Sequence, residues 1–252
     1  MGLAQLKQEI RKHADPAQAK NLMRFFKTGP GEYGEGDRFL GLTVPLQRAI
    51  ARRHRDLPAA DAEKLLASGV HEDRLIALMI LIGLYDRGDD AARDAVVRIY
   101  LSNTARVNNW DLVDLSAPRL LGRHLADRDR GPLYRLARSR SLWERRIAII
   151  ATQAFIRMGD LDTTFAIAEV LLRDDQDLIH KAVGWMLREA GKKDRAAEER
   201  FLDRHAAAMP RTMLRYAIEK LPENKRSAYL AAGRSDRRRA GQRTPSPRKK
   251  SL

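Results

Sequence analysis

Five short segments of this chain line up at a nearly constant spacing, and no other feature limits its fold as much. They are EDRLIALMI from Glu72, NNWDLVDLS from Asn108, ERRIAIIAT from Glu144, IHKAVGWML from Ile179 and MLRYAIEKL from Met213. Their third residues, Arg74, Trp110, Arg146, Lys181 and Arg215, are separated by 36, 36, 35 and 34 positions. Such a period suits one helical hairpin per repeat, because a lone hairpin cannot bury its apolar face and must stack on its neighbours. Segments rich in Ala, Leu, Arg and Glu are broken at Gly, Pro and Asp, and no convincing two-residue alternation marks a strand. Prolines 16, 45, 58, 118, 132, 210 and 222 fall mostly where a helix would start or stop. The expected fold is an all-α solenoid of HEAT-like helical hairpins.

The columns of this alignment sort by chemistry. Two positions after the marker come Ile76, Leu112, Ala148, Val183 and Ala217; three after come Ala77, Val113, Ile149, Gly184 and Ile218. All are apolar or glycine, so they should face the packed layer. The marker column is Arg, Trp, Arg, Lys, Arg. A cation recurring once per repeat predicts a stripe along one face, able to track a nucleic-acid backbone.

The charge balance supports a polyanionic partner. The 252 residues carry 48 Lys and Arg against 33 Asp and Glu, a net +15. From Arg234 onward the chain holds +7, with two prolines and no apolar period, so 234–252 reads as a disordered basic tail. The body, 1–233, keeps +8, which no tail explains. The absence of cysteine excludes a disulfide framework, a zinc ribbon and a thiol nucleophile, and fits a reducing cytosol. The longest apolar run, Leu75 to Tyr85, is too short for a membrane span of about 20 residues. The six histidines show no metal spacing, so neither a metal nor another cofactor is expected. The expected state is a monomer in the cytoplasm, nucleoid-associated when bound to DNA. The segment TGPGEYGEGD (28–37) must be a loop, either a connector or a backbone-amide cradle for phosphate.

The second repeat breaks the column rule. Its marker is Trp110, and four residues on, where the first and third repeats have Leu78 and Ile150, it has Asp114. Positions i and i+4 share a helix face. The fourth repeat places Trp185 in that same column. Asp114, Trp110 and Trp185 should therefore stand together, flanked by Arg146 and Lys181. An indole attracts a cation such as an alkylated purine. A carboxylate can stabilise the oxocarbenium-like sugar of glycoside hydrolysis or direct water to C1′. Such a purine is already a good leaving group, so one carboxylate suffices. Asp111 reads as a first-turn charge, with Asn108 or Asn109 as the cap, and Trp143 as core or inter-repeat packing.

With these residues in view, the sequence resembles the DNA alkylation repair family of HEAT-like-repeat glycosylases, often called the AlkD family. The resemblance covers most of 15–222 and rests on FLGLTVPLQR (39–48), NNWDLVDLSAPRLLG (108–122), LWERRIAII (142–150) and IHKAVGWMLREAGK (179–192). It implies a right-handed solenoid with a concave basic cleft. It implies metal-independent, monofunctional excision of cationic N3- and N7-alkylated purines from double-stranded DNA. It further implies Asp114 as the catalytic carboxylate, Trp110 and Trp185 flanking the lesion, and Arg146 on the backbone. Arg74, Lys181 and Arg215 would extend that backbone contact through the stripe. Where family members often carry a tyrosine, this chain reads MRFFK; Phe25 is the match and Phe26 its neighbour. The rival reading is a non-catalytic solenoid that binds DNA structures through its basic face.

Overall fold

The computed structural model describes residues 2–241, and their side chains as far as 232. Among the described residues the regular structure is helical, apart from one isolated bridge between Arg38 and Val70. The helices are α1 (Leu3–Lys12), α2 (Pro16–Phe25), α3 (Val44–Arg53), α4 (Ala59–Leu66), α5 (His71–Arg87), α6 (Asp90–Ser102), α7 (Trp110–Ser116), α8 (Gly131–Ala137), α9 (Leu142–Ala151), α10 (Gln153–Met158), α11 (Asp162–Val170), α12 (Asp177–Gly191), α13 (Arg195–His205), α14 (Arg211–Ala217) and α15 (Glu223–Gly241). No helix among these residues is long and apolar enough to cross a membrane.

Packing divides the chain into two compact units, Met1–Ala154 and Phe155–Leu252. In the first, α3, α5, α7 and α9 pack one against the next, while α4 and α6 lie against α5, and α8 against α9. In the second, α11, α13 and α14 each pack on α12. This is the repeat-like helix packing that a HEAT-like arrangement requires. The five aligned segments fall on α5, α7, α9, α12 and α14. Their two apolar columns are buried throughout, from Ile76 and Ala77 to Ala217 and Ile218. Gly184 shows why one of these positions carries no side chain. A Cβ there would meet the Met213 carbonyl and the Tyr216 Cβ, so its absence lets α12 and α14 approach closely.

Helix starts follow local chemistry. Asp15 caps α2, accepting from the backbone N–H groups of Ala17 and Gln18 at 3.0 Å each, with Pro16 at the first helical position. Ser141 caps α9 in the same manner. Past Ser116 the chain continues through a wider π turn, Pro118–Gly122, in which the Gly122 N–H donates to the Ala117 carbonyl at 2.8 Å. Pro118 has no N–H to give, which opens the ordinary ladder at that point. The sequence boundary expected at 233 does not coincide with a helix end, since α15 runs to Gly241. The remainder of the expected tail, 242–252, lies outside the described residues.

Candidate active site

The residues singled out by the second repeat sit on α7. Asn109 resolves the choice of cap: its side chain accepts from the Trp110 N–H at 2.8 Å, and Asp111 occupies the first turn. One turn further on, Asp114 faces α9. Arg146 grips it with both arms, Nε donating to Oδ1 at 2.9 Å and Nη2 to Oδ2 at 2.8 Å. The Asp114 side chain keeps 20% of its exposure, so the carboxylate is neither sealed in nor out on a rim. Burial pushes its pKa above the ordinary 3.8, and the charge and hydrogen bonds of Arg146 only partly oppose this.

Trp110 is half-buried against an aromatic group from α2 and the following loop. Phe26 stacks on the indole with ring centroids 5.2 Å apart, and Phe25 meets it edge-on at 5.9 Å. Both phenylalanines of MRFFK therefore touch Trp110, but in different ways. Phe26 is buried and stacks on Phe39 as well, whereas Phe25 is 63% exposed. Trp143 is half-buried, with the Tyr33 ring 6.1 Å away and edge-on. The glycine-rich loop thus runs beside this group. It is not an open amide cradle: the Gly29 and Gly31 N–H groups donate to Glu32 and Glu35 of the loop itself, at 2.9 Å each.

Behind Trp110 lies a buried charge network that sequence reasoning did not find. His71, on the first turn of α5, presents Nδ1 to Asp37 at 2.9 Å and Nε2 to Asp111 at 2.8 Å. Its ring stacks on Phe39 with centroids 4.4 Å apart and lies near Phe26. Burial disfavours the imidazolium, but the hydrogen bonds and negative charges of Asp111 and Asp37 outweigh it and raise the pKa to about 9. The neighbouring Glu72, also buried, accepts from the N–H groups of Leu40, Gly41 and Leu42 at 3.0, 2.7 and 3.3 Å. It pins the FLGL segment where Gly41, at φ +94°, passes the Asp15 carbonyl too closely for any Cβ.

The network corrects one expectation. Arg74 is not on an open cationic stripe; it is 4% exposed and its guanidinium bonds to Asp37 and to the Ser68 carbonyl. Arg146 is likewise turned inward, onto Asp114. A buried guanidinium needs a counter-charge, and acids 32 and 37 residues away supply it. The second unit holds the other expected residues. Lys181 pairs with Asp177 at 2.7 Å, Trp185 is half-buried with its indole N–H donating to Glu189 at 3.2 Å, and Arg215 is exposed. Among the described residues, no cluster of three His, Asp or Glu has a metal-holding arrangement.

The family model for DNA alkylation repair enzymes matches residues 6–221. The chain belongs to that family. Among solved structures it is similar to one described as a predicted DNA alkylation repair enzyme from Enterococcus faecalis, with a TM-score of 0.64 and 16% identity. That match covers 83% of this chain and 97% of the other. At such identity the likeness carries the fold alone. No curated protein matches by sequence. Family membership supports an enzymatic role in DNA repair for this chain.

Proposed function

We propose that the protein is a monofunctional DNA glycosylase that releases cationic N3- and N7-alkylated purines from duplex DNA. The observation that carries this reading is the placement of Asp114. It is a partly exposed carboxylate, fixed in orientation by Arg146, one helical turn from a half-exposed indole. In the surface ion pair of α12, Lys181 holds Asp177 below the usual carboxylate range. Asp114 goes the other way because it is held where water is scarce.

In the proposed reaction the C1′–N9 bond breaks and its electron pair leaves with the purine, which thereby becomes neutral. The sugar becomes oxocarbenium-like, and Asp114 stabilises the developing charge. Water adds to C1′ and its proton passes through Asp114 to solvent. The products are an abasic site and a neutral alkylated base. Trp110 favours the cationic lesion through its ring face. Arg146 sets the carboxylate's direction rather than reaching DNA.

A second reading has one observation in its favour: both oxygens of Asp114 are already occupied by Arg146. A closed pair of that kind also suits a non-catalytic DNA binder. Incubation with duplex carrying 7-methylguanine or 3-methyladenine, with the released bases identified by mass, decides between them. The glycosylase frees those bases but not uracil or hypoxanthine. Binding without any release supports the second reading.

A further inference from the structure

We infer that an arginine-lined cleft in the first unit seats the undamaged phosphodiester backbone beside the lesion; this rests on the duplex-DNA substrate of the proposed function. The cleft has a volume of about 330 Å³ and is lined by Arg48, Arg52, Arg55, Arg87 and Arg119. All five arginines are exposed. Its floor is apolar, with Ile80 from α5 and Leu115 from α7 among its residues.

The pairing of these cations separates them from their neighbours. On α3, Arg53 bonds to Glu9, while Arg48 and Arg52 have no ion-pair partner among the described residues. Past the π turn, Arg123 bonds to Asp86, while Arg119 has no such partner there. Arg87 donates to the Arg55 carbonyl at 2.6 Å. The acid beside these two, Asp56, is strongly exposed and no nearer than 3.7 Å to either. The same elements thus satisfy one arginine in an ion pair and leave others converging on one cleft. Ends of α3 and α5 gain something from a cation at the helix C-terminus. That accounts for Arg52 and Arg87 but not for Arg48. Five cations gathered around the single exposed carboxylate of Asp56 repel one another, and a polyanion relieves that repulsion. Guanidinium groups suit phosphate because they offer it two parallel donors.

The position fits a chain of phosphates. Leu115 follows Asp114 directly, and Arg119 lies five residues on. With Leu115 in its lining, the cleft suits phosphates near the nucleotide opposite Asp114.

The test is the salt dependence of binding to undamaged duplex by the full chain and by a triple variant, Arg48→Gln, Arg52→Gln and Arg119→Gln. Each lost phosphate contact lowers the slope of log K against log salt by about 0.9, so the triple variant should lose about 2 to 3 and bind at least tenfold more weakly at 0.1 M salt. A variant with equal charge loss, Lys64→Gln, Arg93→Gln and Arg128→Gln, removes cations already paired to acids and should lose far less. Equal slopes for the two variants overturn the inference. So does displacement of duplex by inorganic phosphate that saturates at fixed ionic strength, which marks a pocket for a single anion. Base release by the wild type is read separately. Its absence sinks the glycosylase while leaving the slope comparison valid, and release with unchanged slopes sinks the cleft alone.

Discussion

His71 Nε2 lies 2.8 Å from Asp111 Oδ2, and that contact ties α7, the helix bearing Trp110 and Asp114, to α5. The other ring nitrogen holds Asp37, which closes the glycine-rich loop. One charged ring therefore fixes three pieces of chain around the indole. Its positive charge also offsets that of Asp111, which otherwise pushes the Asp114 pKa further upward.

The charge on His71 makes stability depend on pH. Its folded pKa of about 9 lies above the ordinary 6.5 of an imidazole, so the stabilisation is fully present below 6.5 and is lost as pH rises through about 9. A shift of that size corresponds to about 3 kcal/mol at most. Urea denaturation of the first unit's signal at pH 6, 7.5 and 9 should show falling stability for the wild type. His71→Gln should be weaker at pH 6 and nearly flat across the range. Equal pH dependence in the two proteins contradicts the assignment.

Phe25 and Phe26 should separate cleanly. Phe26 is buried between Trp110 and Phe39, so Phe26→Ala should cost about 3 kcal/mol of stability. Phe25 is mostly exposed, and Phe25→Ala should change stability by less than about 1 kcal/mol. If Phe25 lines the lesion site, the same variant slows base release by roughly tenfold, the lower range of a lost stacking contact. Thermal melting and single-turnover release together check both halves.

Asp114 must be ionised to stabilise a positive sugar. Burial raises its pKa, so protonation on acidification sets in at a higher pH than for a free aspartate. The single-turnover rate should therefore fall on the acid side through a step above pH 3.8. His71 is still charged there and does not contribute. A rate that stays level until the DNA itself depurinates contradicts this role.

What the sequence disclosed, and what it hid, divides along physical lines. Burial repeats with the helix, so the columns running from Ile76 to Ala217 announced both the repeat and its inner layer. Capping is local, so Asp111 in the first turn and a cap at Asn108 or Asn109 were legible from the sequence around α7. Ion pairing is not local. Arg74 and Arg146 looked like free members of a stripe because Asp37 and Asp114 stand 37 and 32 residues away from them. His71 escaped for the same reason: it lies just before the first aligned segment, and no short-range pattern links it to positions 37 and 111. Asp37 offered one faint signal, as an acid ending the glycine-rich loop two residues before FLGL.

The role of Asp114 is tested most directly by single-turnover release of 7-methylguanine from methylated duplex by wild type and by Asp114→Asn, beside their duplex affinities. Asparagine keeps an oxygen for Arg146, and melting confirms that the variant is folded. Binding should be near-equal and the rate at least about 10²-fold lower in the variant, the scale of a lost electrostatic group, if Asp114 stabilises the sugar. Equal rates at equal binding would contradict it.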